Sequence, residues 1–285
     1  MPQADSLPAP LAPVRVGPLV VGGGDLVFVL GPCVLEPDAR ALRIGQGIAE
    51  VCARLGVPWI FKASFDKANR SAAASWRGPG MDAGLRELAR VRTALGVPVT
   101  TDVHAPEQAA PAAEVVDLLQ VPAFLCRQTD LLLACAATGR PVNVKKGQFM
   151  APADMRGVLG KLAPGRAILT ERGTSFGYGD LVVDLRALPT MRALGAPVCF
   201  DATHSVQKPG AGALTADGGP TTGGDRRFAA GLARAAAAMG VDMIFAEVHD
   251  APGEALSDGP NQLPLAELER FLDGVLAVHR AATRA

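Results

Sequence analysis

Eight short apolar runs recur along the chain, and most close on charged or hydrogen-bonding residues: LVFVLGPC, PWIFKASF, VPVTTDVH, VVDLLQVP, PVNVKKGQ, RAILTERG, PVCFDATH and MIFAEVHD. Between them lie Ala/Leu/Arg-rich stretches with apolar positions at helical spacing. Near-continuous apolar runs are what strands show when both faces of a parallel sheet are covered, and strands alternating with helices point to repeated βα units. Eight of each predict an α/β fold closed as a (β/α)8 TIM barrel. A doubly wound open sheet is the alternative that the same alternation permits. Ahead of the first run, VRVGPLVVGGGDLVFV sets a Gly-rich turn between two β-branched runs and predicts an N-terminal β-hairpin. Residues 1–13, rich in Pro and Ala, are expected to be a flexible tail, and residues 14–285 a single catalytic domain.

The polar ends of the runs carry the chemistry. Lys62, Asp102, His104, Lys145, Lys146, Arg172, His204 and Glu247 all fall at or just beyond a strand's C-terminal end. In a barrel these ends converge on one mouth, where active sites of this fold lie. Asp102 precedes His104 by two, which puts both on one face and makes His104 a better candidate than His249 for moving a proton. After the second strand, FKASFDKANRS places Lys62, Lys67, Asn69, Arg70 and Ser71 close together. A lone charged run is ordinarily a solvated loop. Here Lys145, Lys146 and Arg172 are expected at the same mouth, and that convergence predicts a substrate with more than one anionic group. RGTSFGYGD, after the sixth strand, reads as a Gly-rich loop where backbone comes close to a ligand.

Charge and composition narrow the partners. Twenty-eight basic and twenty-eight acidic residues cancel, so no global field draws the chain to nucleic acid or to an anionic membrane, and any anion site must be local. No apolar run approaches a membrane span and the N-terminal residues lack a signal-peptide pattern, so a cytoplasmic protein is expected. The absence of GxGxxG and GxxxxGK[ST] patterns argues against a dinucleotide or a P-loop nucleotide. Five dispersed cysteines suit neither a disulfide scaffold nor a CxxC knuckle. Cys52, Cys126, Cys135 and Cys199 read as packing. Cys33 differs, because it ends the first strand, while His204 ends the seventh, Glu247 ends the eighth and Asp258 lies in the loop that follows. Barrel closure makes strands seven, eight and one neighbours, so a thiolate, an imidazole and two carboxylates meet in one sector. That set suits one divalent ion: zinc, iron, manganese or cobalt.

Taken in order, GPCVLE (31–36), FKASFDKANRS (61–71), TDVH (101–104), QVPAFLCRQTDLL (120–132), NVKKGQF (143–149), ERGTSFGYGDLVVD (171–184), FDATHSVQ (200–207) and SDGPNQLPL (257–265) resemble the 3-deoxy-D-manno-octulosonate 8-phosphate synthases over nearly the whole chain. The KANRS element resembles this branch rather than the sister 3-deoxy-heptulosonate phosphate synthases, which carry a KPRTS-like element and use erythrose 4-phosphate. The resemblance implies condensation of phosphoenolpyruvate with arabinose 5-phosphate, a step in lipopolysaccharide precursor synthesis, by a homotetramer. The metal-independent form has Asn at the place of Cys33, so this chain resembles the metal-dependent form, with Cys33, His204, Glu247 and Asp258 as ligands. By the same resemblance Lys62, Lys67, Lys145 and Arg172, beside Gln120 and Ala123, hold phosphoenolpyruvate. Asn69, Arg70 and Ser71 hold the sugar phosphate, with Arg127 lent by a neighbouring subunit. The segment 207–226 is longer than usual for the family, and Trp76 stands where Phe or Tyr is usual. The rival readings are the erythrose-using synthase, a non-catalytic phosphosugar-binding barrel, and a Schiff-base aldolase using Lys145 or Lys146.

Overall fold

The computed structural model describes residues 11–68, 76–176, 179–209, 211–212 and 222–283. The chain opens with a hairpin, β1 (Val14–Val16) and β2 (Leu19–Val21), paired antiparallel. Then follow β3 (Val27–Gly31), α1 (Arg40–Leu55), β4 (Trp59–Lys62), α2 (Met81–Leu95), β5 (Val99–Asp102), α3 (Pro106–Val115), β6 (Leu118–Val121), α4 (Thr129–Ala137), β7 (Val142–Lys145), α5 (Arg156–Leu159) and β8 (Ala167–Glu171). A second hairpin, β9 (Thr174–Phe176) and β10 (Asp180–Val182), precedes α6 (Ala187–Arg192) and β11 (Val198–Asp201). Beyond them lie the short strands β12 (Gln207–Lys208) and β13 (Gly223–Gly224), then α7 (Ala229–Ala238), β14 (Met243–His249), the short β15 (Leu263–Pro264) and α8 (Leu268–Thr283).

Strands β3, β4, β5, β6, β7, β8, β11 and β14 pair in parallel in that order, and β14 returns to β3, which closes an eight-stranded barrel. The open-sheet alternative is thereby excluded. The helices lie outside because each presents an apolar stripe. In α1, Ala41, Ile44, Ile48, Val51 and Cys52 are buried, and the helix stops at Gly56, whose φ of +65° suits glycine. No helix among the described residues is long and apolar enough to cross a membrane.

Two apolar clusters form, because strand side chains alternate between the helices and the barrel interior. The inner cluster joins Val27, Val29, Ile60, Leu118, Ile168, Cys199, Met243 and Phe245 to Val14, Val16 and Val21 of the first hairpin. The hairpin therefore plugs the end of the barrel opposite the mouth. Above this layer the inward positions turn polar: Lys62, Asp102, Gln120, Asn143, Lys145, Asp201 and Glu247 are all buried.

Candidate active site

The mouth encloses a cavity of about 650 Å³ whose wall includes Lys62, Lys67, Asp102, His104, Lys145, Arg172, His204 and Asp258. Its floor depends on Gly31. The residue has a φ of +151°, and a Cβ there would overlap the carbonyl oxygen of Lys62 on the adjacent strand. That close approach lets the backbone turn and seat Cys33, whose carbonyl accepts from Lys62 Nζ at 2.7 Å.

One sector of the mouth gathers metal-ligating atoms. Ligand atoms of Cys33, Glu247 and Asp258 lie within 4.8 Å of one another. His204 Nε2 joins them, 3.6 Å from Glu247 Oε1 and 3.8 Å from Asp258 Oδ2. The other ring nitrogen, Nδ1, stands 2.8 Å from Asp201 Oδ2. A carboxylate behind the imidazole is the usual arrangement for orienting a histidine ligand. Lys62 Nζ sits 2.7 Å from Glu247 Oε1, but Glu247 Oε2 is buried with no hydrogen-bond partner. Burial alone would raise the Glu247 pKa; Lys62, His204 and Lys67 outweigh it and bring it down to about 2. Burial pushes the Cys33 thiol well above its ordinary range, and Glu247 adds to the rise. An anionic carboxylate with a free oxygen, an imidazole nitrogen aimed at it and a thiol that only a cation would ionise fit a divalent ion.

Cations stand beside this cluster. Arg172 is 4 % exposed, and its Nε and Nη1 have no hydrogen-bond partner; Nη2 donates to Gln207 Oε1. Burial lowers its pKa from the usual arginine value, against the opposing pull of Asp201 and Asp258. Lys145 Nζ pairs with Asp201 Oδ2 at 2.7 Å and stands 3.7 Å from the centre of the Phe245 ring. Lys67 Nζ donates to Ser64 Oγ at 3.0 Å and lies 4.0 Å from both Asp102 and Glu247. Burial would lower the Lys67 pKa, but Cys33, Glu247, Asp102 and Asp258 together raise it above the usual lysine range. The site is thus a buried zone of alternating charge with donors left over in Arg172.

Chemistry and sequence agree. A profile of the DAHP synthetase I family matches residues 12–282. The chain belongs to this family. Its similar relatives include proteins named 2-dehydro-3-deoxyphosphooctonate aldolase, another name for the octulosonate 8-phosphate synthases: one of Synechococcus sp., 57% identical over 262 residues (91% of this chain and 90% of the relative). Another, of Trichlorobacter lovleyi, is 55% identical over 269 residues (93% and 97%). A third, of Cyanothece sp., is 54% identical over 273 residues (94% and 98%). Membership in the octulosonate branch, expected from KANRS, follows from these likenesses.

The motifs shared with the family fall unequally around the mouth. Ala123 lines the cavity, whereas Gln120 lies behind it, donating from Nε2 to Asp102 at 2.7 Å. His104 lines the cavity with Nδ1 buried and unpartnered, and burial lowers its pKa. Arg127 is exposed and stands apart from the mouth of its own barrel. Asn69, Arg70 and Ser71 lie outside the described residues, as does half of the extended segment, at 210 and 213–221. Lys146 corrects the expectation of two lysines at the mouth. Consecutive strand residues face opposite ways, so Lys145 points inward and Lys146 outward, 3.5 Å from Glu171 Oε2. His249 is held by structure: Nε2 is 3.3 Å from Glu36 and Nδ1 accepts from the Ala251 amide at 3.0 Å. Two residues that sequence reasoning passed over are Asp201, shared by Lys145 and His204, and Ser64, which donates to Asp102. Their signals were spacing: Asp201 stands three before His204, and Ser64 two after Lys62.

Proposed function

We propose that the protein condenses phosphoenolpyruvate with D-arabinose 5-phosphate and water to give 3-deoxy-D-manno-octulosonate 8-phosphate and inorganic phosphate, in the route to lipopolysaccharide. The observation that carries the reading is the buried Arg172 guanidinium with two unpartnered nitrogens, in one cavity wall with Lys62, Lys67 and Lys145. A buried cation is costly without a partner, and an anionic substrate supplies one. The relatives' shared name supports the same substrates.

In this reaction C3 of phosphoenolpyruvate bonds to the aldehyde carbon and a water oxygen bonds to C2. The C2–O bond to phosphate then breaks, and the aldehyde oxygen ends protonated. Arg172 and Lys145 bind the anionic groups of phosphoenolpyruvate, Lys67 and Lys62 balance charge developing at C2 and on the departing phosphate, and none needs to reorganise. His104 and Asp102 stand at the same wall and are the residues assigned to move a proton, His104 Nδ1 being buried without a hydrogen-bond partner. Ala123 bounds the enolpyruvate side, with Gln120 supporting Asp102 from behind, and Asn69, Arg70 and Ser71 bind the sugar phosphate. Cys33, His204, Glu247 and Asp258 would hold a divalent ion: zinc, iron, manganese or cobalt. When bound, it supplies Lewis acidity toward an aldehyde or water oxygen.

The proposal extends to a cytoplasmic homotetramer. Five free, buried cysteines suit a reducing compartment. Phe124, Phe149 and Phe176, 55–69 % exposed, follow the consecutive strands β6, β7 and β8, and exposed Arg127 stands near Phe124 in sequence. Aromatic residues with arginine are the composition of a subunit interface, and across it Arg127 would reach the neighbour's sugar phosphate. Phosphate release from phosphoenolpyruvate with arabinose 5-phosphate, measured before and after chelation, tests the reaction.

A further inference from the structure

Behind the cavity wall, neighbouring strands carry a row of buried side chains whose hydrogen bonds all run one way. Thr170 Oγ1 on β8 donates to Asn143 Oδ1 on β7 at 2.6 Å. Asn143 Nδ2 donates to Gln120 Oε1 on β6 at 3.0 Å, and Gln120 Nε2 donates to Asp102 Oδ1 on β5 at 2.7 Å. The ladder register sets Asp102 beside Gln120, and Gln120 beside Asn143. The polarity of the row has a cause. An ionised carboxylate only accepts, so Gln120 must turn its NH2 to Asp102 and its carbonyl to Asn143, and Asn143 its NH2 to Gln120 and its carbonyl to Thr170. The second oxygen of Asp102 accepts from Ser64 Oγ, which in turn accepts from Lys67 Nζ at 3.0 Å.

We propose that Asn143 is a positioning residue for the reaction: by fixing the amide orientation of Gln120 it keeps Asp102 an acceptor-only anion, and Asp102 with Ser64 seats Lys67 at the mouth. Asn143 is fully buried and takes no part in the cavity wall, so its action passes through Gln120 rather than through the substrate. Lys62, Lys67, Lys145 and His104 are the charged and titratable groups that face Asp102. Around Asn143 itself stand Gln120, Thr170 and, two residues along β7, Lys145. The inference rests on the function proposed above, because the quantity it predicts is turnover of phosphoenolpyruvate.

Asn143→Asp is nearly isosteric and reports on polarity rather than volume. While protonated, the new carboxyl donates to Gln120 and accepts from Thr170, as asparagine does. Once ionised it can only accept, Gln120 turns its NH2 toward it, and the Gln120 carbonyl confronts Asp102. Burial lifts such a carboxyl above its ordinary range. The ratio of variant to parent kcat/KM for phosphoenolpyruvate is therefore expected to fall on the order of tenfold between about pH 5.5 and about pH 8.5. Gln120→Glu, one link closer to Asp102, is expected to show the same decline. Circular dichroism and thermal unfolding at each pH separate loss of turnover from loss of fold. An active parent with a pH-independent ratio in both folded variants overturns the inference alone. Failure of both variants to fold at any pH assigns the row to barrel stability and overturns it too. A parent without turnover overturns the proposed function and the inference with it.

Discussion

Arg172 shows how a single side chain exposes a trade between stability and binding. Its buried guanidinium has two nitrogens without a hydrogen-bond partner, so the free protein leaves donors unmet there even though Asp201 and Asp258 offset the charge. Arg172→Met is expected to raise the melting temperature, by on the order of 1–3 kcal/mol of stability, while raising the KM for phosphoenolpyruvate or lowering kcat tenfold or more. Thermal unfolding and steady-state kinetics check the two halves. Cys33 carries the corresponding prediction for the ligand cluster. Cys33→Ala should lower the bound metal measured by elemental analysis and abolish most activity; a metal-free, fully active variant would remove the ion from the account. Asp102 links the site to pH. Burial raises its pKa, but Lys62, Lys67 and Lys145 outweigh burial and hold it well below the ordinary carboxylate range. A depressed carboxylate contributes stability that is present above its unfolded pKa of about 4 and lost as pH falls through the folded value. Denaturant midpoints should therefore fall below about pH 4 in the parent, and by less in Asp102→Asn. At this scale the sequence was readable for placement: Cys33, His204 and Glu247, expected at strand ends in one sector, do come together at the mouth. It was silent on Asp201 and Ser64, which act by holding others, and Lys146 was misplaced because two adjacent lysines cannot both face inward.

The elements divide the work along the barrel axis. At the closed end, Val14, Val16 and Val21 of the first hairpin bury fully against interior residues such as Val27, Leu118 and Met243. Val16→Ala is expected to cost about 2 kcal/mol and to leave kcat and KM unchanged, because the hairpin and the catalytic mouth lie at opposite ends. Denaturant unfolding set beside kinetics decides this, and altered kinetics at full folding would contradict it. At the open end, Gly31 belongs to the site as much as to the strand, since its missing Cβ admits the Lys62 carbonyl. The eight barrel strands and the presence of the first hairpin were legible in the sequence because apolar patterning is strongest where burial is most complete, but the turn lies at Gly17–Pro18 and the Gly-rich segment expected to form it instead leads into β3. The second hairpin, β9–β10, read only as a Gly-rich loop, because Ser175 and Phe176 are exposed and give no alternation of buried and exposed positions.

Over the whole molecule, equal numbers of acidic and basic residues leave no net charge, yet cations and carboxylates gather, interleaved, inside one cavity. A local site of this kind attracts small anions without a global field. In the proposed homotetramer, the exposed phenylalanines after β6, β7 and β8 are assigned to the seam between subunits. Replacing Phe149 and Phe176 by Glu is expected to shift the mass measured by light scattering from four chains toward fewer; an unchanged mass would place the interface elsewhere.

The most direct test of the central claim is phosphate release from phosphoenolpyruvate by the purified protein, offered arabinose 5-phosphate or erythrose 4-phosphate. It should be run before and after chelator treatment and after divalent metal is restored. Release with the five-carbon sugar, lost to the chelator and regained with metal, is the predicted result; preference for the four-carbon sugar, or no release with either, would contradict it.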